Sequence, residues 1–389
     1  MSSKKSTRHA DQLRKKMQSN TDQKPRQTVN CDQDASNEQH VLPIEVQQIV
    51  LNVFRTAFPT VQDTEELKTI IREVKRHLFN RDFSAAFSSQ SFLQAYALRW
   101  SAARALGYTE LLTNARTKYL FDSSETDNGH LEPDTQTTTS QSLDSPNHHH
   151  CPANRVVCIG GGAGAEIVAL AASNRTSSKP LQVVAIDSAD WSDPVQKLAS
   201  ALTVPPTLSI YASEAFRKRP ENQPLVVHPM QVDVSFMQQD VLSWSRDSLR
   251  ESLSGTTLCT IMFTLNELFS TSIPKTTALL LDLTSAIPQG SHLLVVDSPG
   301  SYSEVQLGKK SVPTNTAAAN SEGTKKYPMK WLLDHTLLVV AKGESEAVWE
   351  KVENEDSLWF RIEQKDRDRL EYPVELENMR YQLHSYRRI

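Results

Sequence analysis

Gly160-x-Gly162-x-Gly164 directly follows the apolar run Val156-Val157-Cys158-Ile159 and carries the clearest chemical meaning in this chain. Glycines at that spacing let a backbone approach a bulky ligand, and a strand–turn–helix of this form opens nucleotide-cofactor sites. The next apolar run, Leu181 to Ile186, ends in Asp187. A carboxylate at such a strand tip accepts hydrogen bonds from ribose hydroxyls. Trp191 follows and is read as a wall of the same pocket. Asp240 ends a third run and suits an exocyclic adenine amine, while Asn266 and Glu267 end a fourth and are placed at the reacting centre. Each has a plainer reading: Asp187 and Asp240 as helix caps, Trp191 as a core residue, Asn266 and Glu267 as a helix start.

Two cofactors suit this pattern. A nicotinamide dinucleotide would use Gly160-x-Gly162-x-x-Ala165, and S-adenosylmethionine would use Gly160-x-Gly162-x-Gly164. The elements around the motif separate them. Apolar runs at 155–159, 182–187, 231–237, 258–264 and 291–297 read as strands, with helices near 163–173, 191–201, 243–252 and 274–287. Such alternation argues a parallel sheet covered on both faces. Tyr327 to Val340 reads as a further helix, and strands at 357–362 and 379–386 close the sheet as an antiparallel hairpin. A dinucleotide enzyme commonly adds a second mononucleotide-binding half instead. The expected fold is therefore α/β, a Rossmann-like methyltransferase sheet with a C-terminal antiparallel hairpin, and S-adenosylmethionine is the expected cofactor.

Upstream, residues 41–120 show helical periodicity, with one apolar stripe through Ile49, Val50, Val53 and Phe54 and another through Leu67, Ile70, Val74 and Leu78. Gly107 is a plausible helix stop. Residues 1–40 read as a disordered basic tail and 121–153 as an acidic linker, so the cofactor-binding domain spans 154–389, with loops at 203–229 and 308–326.

The chain has 389 residues and a formal net charge of −4, unevenly spread. Residues 1–30 carry eight Lys or Arg against Asp11 and Asp22; residues 68–118 carry nine against Glu73, Asp82 and Glu110. Such regions can meet an anionic polymer or simply be solvated faces. The four cysteines form no CxxC pair, which fits a reducing compartment. His148-His149-His150-Cys151 sits in a polar low-complexity stretch, and no metal site is expected from it. No apolar run approaches a membrane span and no signal peptide opens the chain, so the expected setting is intracellular, in the nucleus, nucleolus or cytoplasm.

Several segments resemble the fungal methyltransferases that modify a uridine at N3 in 25S ribosomal RNA. They are Cys158 to Glu166, Asp187 to Trp191, Met262 to Phe269, Asp297 to Tyr302 and Tyr327 to Leu333, with Tyr96-x-x-Arg99-Trp100-x-x-x-Arg104 upstream. The resemblance implies an S-adenosylmethionine-dependent enzyme whose partner is ribosomal RNA or a pre-ribosomal particle. Uridine N3 holds its proton at neutral pH, so a base is useful. Glu267 is expected to help remove that proton and Asn266 to hold a base-edge carbonyl. Tyr302 and Trp100 are candidates to receive the flipped base, and Arg99 and Arg104 to grip phosphates. Two other readings remain at this point: a methyltransferase for a small molecule or protein, and a non-catalytic RNA-associated factor.

Overall fold

The computed structural model describes residues 42–59, 64–121, 153–299, 304–307, 325–343 and 346–389. The expected basic tail, the linker's residues 122–152 with its His-Cys run, residues 308–324 and Tyr302 lie outside the described residues.

Seven strands form one sheet in the order β3-β2-β1-β4-β5-β9-β8. They are β1 (Asn154–Ile159), β2 (Leu181–Asp187), β3 (Val232–Gln238), β4 (Leu258–Met262), β5 (His292–Asp297), β8 (Trp349–Phe360) and β9 (Met379–Arg388). The first five run parallel; β9 is antiparallel to both β5 and β8. A separate two-stranded ribbon joins β6 (Glu304–Leu307) to β7 (Lys325–Pro328). The winding reverses between β1 and β4, so ligands are expected outside their carboxyl ends.

From Val156 to Ile159 β1 is apolar because both its faces are covered there. Val156 and Cys158 join one core cluster, Val157 and Ile159 the other. The upstream helices are α1 (Ile44–Ala57), α2 (Thr64–Phe79), α3 (Phe83–Ala86), α4 (Gln90–Tyr96) and α5 (Ala102–Thr113), and all but the short α3 join the first cluster: Phe54, Leu67, Leu93 and Leu106 are buried with Val156 and Val183. A π-helical turn, Ala97–Ser101, links α4 to α5. The helical segment and the sheet therefore share one core. Helices α6 (Ala165–Ser173) and α7 (Ser192–Ala201) cover the same face, while α8 (Arg246–Ser252), α9 (Leu265–Thr271), α10 (Ile273–Ala286) and α11 (Met329–Asp334) cover the other.

Three sequence expectations are corrected. Gly107 lies inside α5 rather than at its end; a Cβ there would stand 2.6 Å from Met379 Cε and 3.1 Å from the Phe360 ring, so the glycine admits the C-terminal hairpin. Tyr327 belongs to β7, the helix starts at Met329, and a π-helical turn replaces its second half from His335. The first tail strand begins at Trp349, eight residues before 357, because an edge strand carries alternating charges that mask its pattern.

Candidate functional site: the crevice at the carboxyl ends of β1 and β4

The glycine turn takes its shape from two left-handed residues, Gly160 at φ 79° and Gly164 at φ 83°, flanking a 3-10 turn at Gly161–Ala163. Side chains would be strained there. The turn is also packed from behind. A Cβ on Gly160 would stand 2.1 Å from Thr264 Oγ1; one on Gly162 would stand 2.3 Å from Trp191 Cδ1 and 2.8 Å from Asp187 Cβ. The glycines were expected to make room for a ligand; in the fold they make room for Thr264, Trp191 and Asp187.

Asp187 ends β2 and accepts hydrogen bonds from the Gly162 N–H at 3.3 Å and the Ala189 N–H at 3.2 Å. Burial pushes its carboxyl up to about 6, with those N–H groups opposing. Trp191 is 1% exposed and packs against Phe87 at 5.3 Å and Tyr96 at 5.8 Å between ring centres. It backs Asp187 from the core rather than lining an open wall. Its Nε1 makes no well-formed hydrogen bond, although the indole stands close enough to Asp187 to oppose the rise in that carboxyl. Asp240 is exposed, and one of its oxygens caps the short turn after β3 by accepting from the Leu242 N–H at 3.0 Å.

β4 ends two residues earlier than expected. Phe263 takes φ 54°, a left-handed conformation uncommon outside glycine, and turns the chain sharply into α9. That turn buries Asn266 against Asp297 at the tip of β5. The Asn266 N–H reaches Asp297 Oδ2 at 3.0 Å, its Nδ2 reaches Oδ1 at 2.7 Å, and the Ser298 N–H meets Oδ1 at 2.7 Å. Asn266 Oδ1 is left buried with no partner. Burial pushes Asp297 up to about 6, against the pull of its donors. Glu267 stands at the rim, where its Oε2 accepts from Arg81 Nη1 at 3.4 Å.

The upstream residues divide. Arg99 was expected to grip phosphate; instead it is tied to Glu377, with a side chain only 14% exposed and Nη1 sealed in the core. Trp100 is partly buried, 5.1 Å from the Tyr96 ring. Arg104 comes into the crevice itself. Its Nη1 donates to Tyr96 Oη at 2.9 Å, and its guanidinium carbon lies 4.7 Å from the centre of the Phe263 ring. A surface phosphate contact does not suit that partly buried position.

Sequence reasoning passed over Glu166 and Arg81 and named Asp297 without giving it a role. Glu166 is 3% exposed in the first turn of α6, accepts from Thr260 Oγ1 at 2.6 Å, and is pushed by burial up to about 8. Its place straight after the third glycine was a usable signal, as was Asp297 at a strand tip; Arg81 meets Glu267 across 186 residues and had none.

S-adenosylmethionine carries a sulfonium, an ammonium and a carboxylate. The crevice sets Asp187 and Asp297 at the tips of β2 and β5 and one guanidinium, Arg104, over the tip of β4, so the donor set matches in both signs. Trp191 Nε1 and Asn266 Oδ1 remain as buried polar atoms without partners. A cavity of about 640 Å³ lies elsewhere, against Asn154, Thr257 and His292 at the strands' amino ends, and has no part in this arrangement.

The chain is similar to several known proteins. A curated relative, the 25S rRNA (uridine(2843)-N(3))-methyltransferase of Saccharomyces cerevisiae (strain ATCC 204508 / S288c), is 28% identical over 362 residues, 86% of this chain and 83% of the relative. Among solved structures, the antibiotic-resistance methyltransferase Kmr is 16% identical over 61% of this chain and 87% of its own, at TM-score 0.32. The N-methyltransferase NodS from Bradyrhizobium japonicum WM9, in complex with S-adenosyl-L-homocysteine, is 10% identical over 61% and 78%, at TM-score 0.29. The family model described as "Putative SAM-dependent methyltransferase" matches residues 54–387, nearly the whole described fold with its glycine turn and strand-tip acids, and the chain belongs to that family of S-adenosylmethionine-dependent methyltransferases.

Proposed function

We propose that this methyltransferase acts on large-subunit ribosomal RNA, at N3 of a uridine. The observation that carries the reading is the similarity to the yeast uridine-N3 enzyme along 86% of the chain. The site chemistry supports it. S-adenosylmethionine supplies a methyl already activated on sulfur, so the protein mainly positions two partners and manages one proton. In the balanced reaction the N3–CH3 bond forms as the S–CH3 bond breaks. The N3 proton leaves to a base, and N3-methyluridine and S-adenosylhomocysteine are released.

Gly160, Gly162 and Gly164 shape the donor site, Asp187 takes the ribose hydroxyls, and the free oxygen of Asp240 faces the adenine amine. Asn266 spends one of its two Nδ2 hydrogens on Asp297 and keeps the second for a base-edge carbonyl. Glu267 remains the proton acceptor, with Arg81 as its resting counter-ion.

The RNA side of the crevice is the turn after α2. Phe79 is 88% exposed there, and Arg72, Lys75 and Arg81 are exposed beside it. An exposed aromatic among cations suits a stacked base and its phosphates. A pre-ribosomal particle in the nucleolus, or ribosomal RNA in the cytoplasm, is the matching partner. Among the described residues no helix is long and apolar enough to cross a membrane.

Mass spectrometry of nucleosides from the ribosomal RNA of cells lacking this gene tests the proposal. Loss of one N3-methyluridine is expected, and unchanged ribosomal RNA would overturn it. With purified components, Glu267→Gln is expected to slow single-turnover methylation by about 100-fold; an unchanged rate removes Glu267 from the proton transfer.

A further inference from the structure

We propose that Arg104 is the carboxylate-binding residue of the donor site, holding the α-carboxylate of the methionyl end of S-adenosylmethionine from the helical segment. The inference rests on the assignment of Asp187 to the ribose and deepens that reading.

Arg104 is a cation placed inward without an ion-pair partner. Among the described residues its one hydrogen-bond acceptor is the Tyr96 hydroxyl, and no carboxylate stands within ion-pair distance of it. Arginine so enclosed normally meets an acid, because an uncompensated buried charge is costly. Arg99, five residues earlier, shows the contrast: it pairs with Glu377 and its spare nitrogen is sealed. The spare nitrogens of Arg104 are not sealed. The group is therefore positioned, charged and still open to the crevice.

Three contacts fix where it points. The guanidinium lies over Phe263 at 4.7 Å, Phe263 precedes Thr264, and Thr264 packs directly on Gly160. Arg104 thus overhangs the β1–β4 crevice beside the glycine turn. Phe263 is held there by its left-handed φ of 54°. Asp187 lies at the tip of β2, on the other side of β1 from β4. From β2 to β4 is two strand spacings, roughly 10 Å. That span suits the donor laid with its ribose on Asp187 and its amino-acid end toward β4. The planar, forked guanidinium matches a carboxylate in two-point contact. Burial works against the Arg104 charge, yet Tyr96, Tyr108 and Asp297 more than offset it, so the cation persists without a ligand. A helix outside the nucleotide-binding half would then complete the donor site.

The test compares two ligands that differ only in the carboxylate: S-adenosylhomocysteine and its decarboxylated analogue, 5′-deoxy-5′-(3-aminopropylthio)adenosine. Each is titrated by calorimetry into the full chain. The wild type is expected to prefer S-adenosylhomocysteine by about 10- to 100-fold, the range of a charge-assisted hydrogen bond. In Arg104→Gln that preference should fall to near one, with affinity for the decarboxylated ligand unchanged. Loss of both affinities together would mean a structural role and overturn the proposal, as would a preference that survives the substitution. Tyr96→Phe, which frees the guanidinium from its hydroxyl anchor, should reduce the preference several-fold; an undiminished preference there counts against the geometry even if Arg104→Gln does not fold. A wild type that binds both ligands equally, but loses them on Asp187→Ala, would refute the carboxylate contact and leave the ribose assignment standing. Unchanged binding in Asp187→Ala would instead remove the ribose assignment and this inference with it.

Discussion

Glu166 is the residue whose chemistry departs furthest from its neighbours' purpose. It is buried beneath the glycine turn, bonded to Thr260, and its carboxyl rises from an ordinary 4.5 to about 8 because burial disfavours the charge. Between those two values the folded protein holds this proton more tightly than the unfolded chain does, so stability falls as pH rises through the window. Glu166→Gln keeps an acceptor for Thr260 and removes the titration. Thermal unfolding from about pH 6 to pH 9 should therefore show wild type losing a few kcal/mol relative to the variant, and a constant gap would contradict the assignment. The glycines and Asp187 were legible in the sequence because backbone conformation and strand-tip position follow from local pattern. The fate of Asn266 was only half legible. Its place at a tip could be read, but the commitment of Nδ2 to Asp297 depends on how β4 and β5 lie side by side.

At the scale of elements, the parallel strands and most covering helices were readable within a few residues, since the inner strands carry apolar runs and the edge strand β3 alternates. Three features were not. The charged edge strand β8 hides its alternation, the π-helical turn at Ala97–Ser101 leaves no periodic trace, and Gly107 looks like a stop while serving as a seam. The seam makes a prediction. Gly107→Leu would force Met379 and Phe360 away from α5 and should destabilise the fold by about 1–3 kcal/mol by denaturant unfolding. Gly107→Ala gains helix propensity and needs the flexible end of Met379 to shift and the Phe360 ring to give slightly, so it should cost less than the leucine. Equal effects would mean that the close approach is not what holds glycine there. The turn after α2 predicts differently: Phe79→Ala should weaken RNA binding several-fold in a filter or anisotropy assay while leaving S-adenosylhomocysteine affinity unchanged. Loss of both would place Phe79 in the fold instead.

For the whole molecule, the sequence suggested a helical domain beside a catalytic one, and the packing describes a single body: Phe54, Leu106 and Tyr108 are buried in the same cluster as Val156 and Val183. Periodicity reveals that a helix has an apolar face but not what covers it. A fragment beginning at residue 154 should accordingly show the circular dichroism and proteolytic sensitivity of an unfolded or molten chain; a cooperative unfolding transition in that fragment would disprove the shared core. Overall charge was a poor guide. The formal −4 conceals exposed cations gathered near the crevice, and RNA affinity should fall steeply between low and physiological salt.

One detail of the amino edge bears on how the chain can be altered. Phe121 and Asn154 line the same cavity, and Tyr119 is held there by Ser385 at 2.8 Å. The described chain thus stops at Phe121 and resumes at Ala153, next to Asn154, against the same cavity. The free-energy cost of closing a loop grows only with the logarithm of its length. A fluorescent reporter or an affinity handle inserted between residues 122 and 152 should therefore leave the catalytic body as it was.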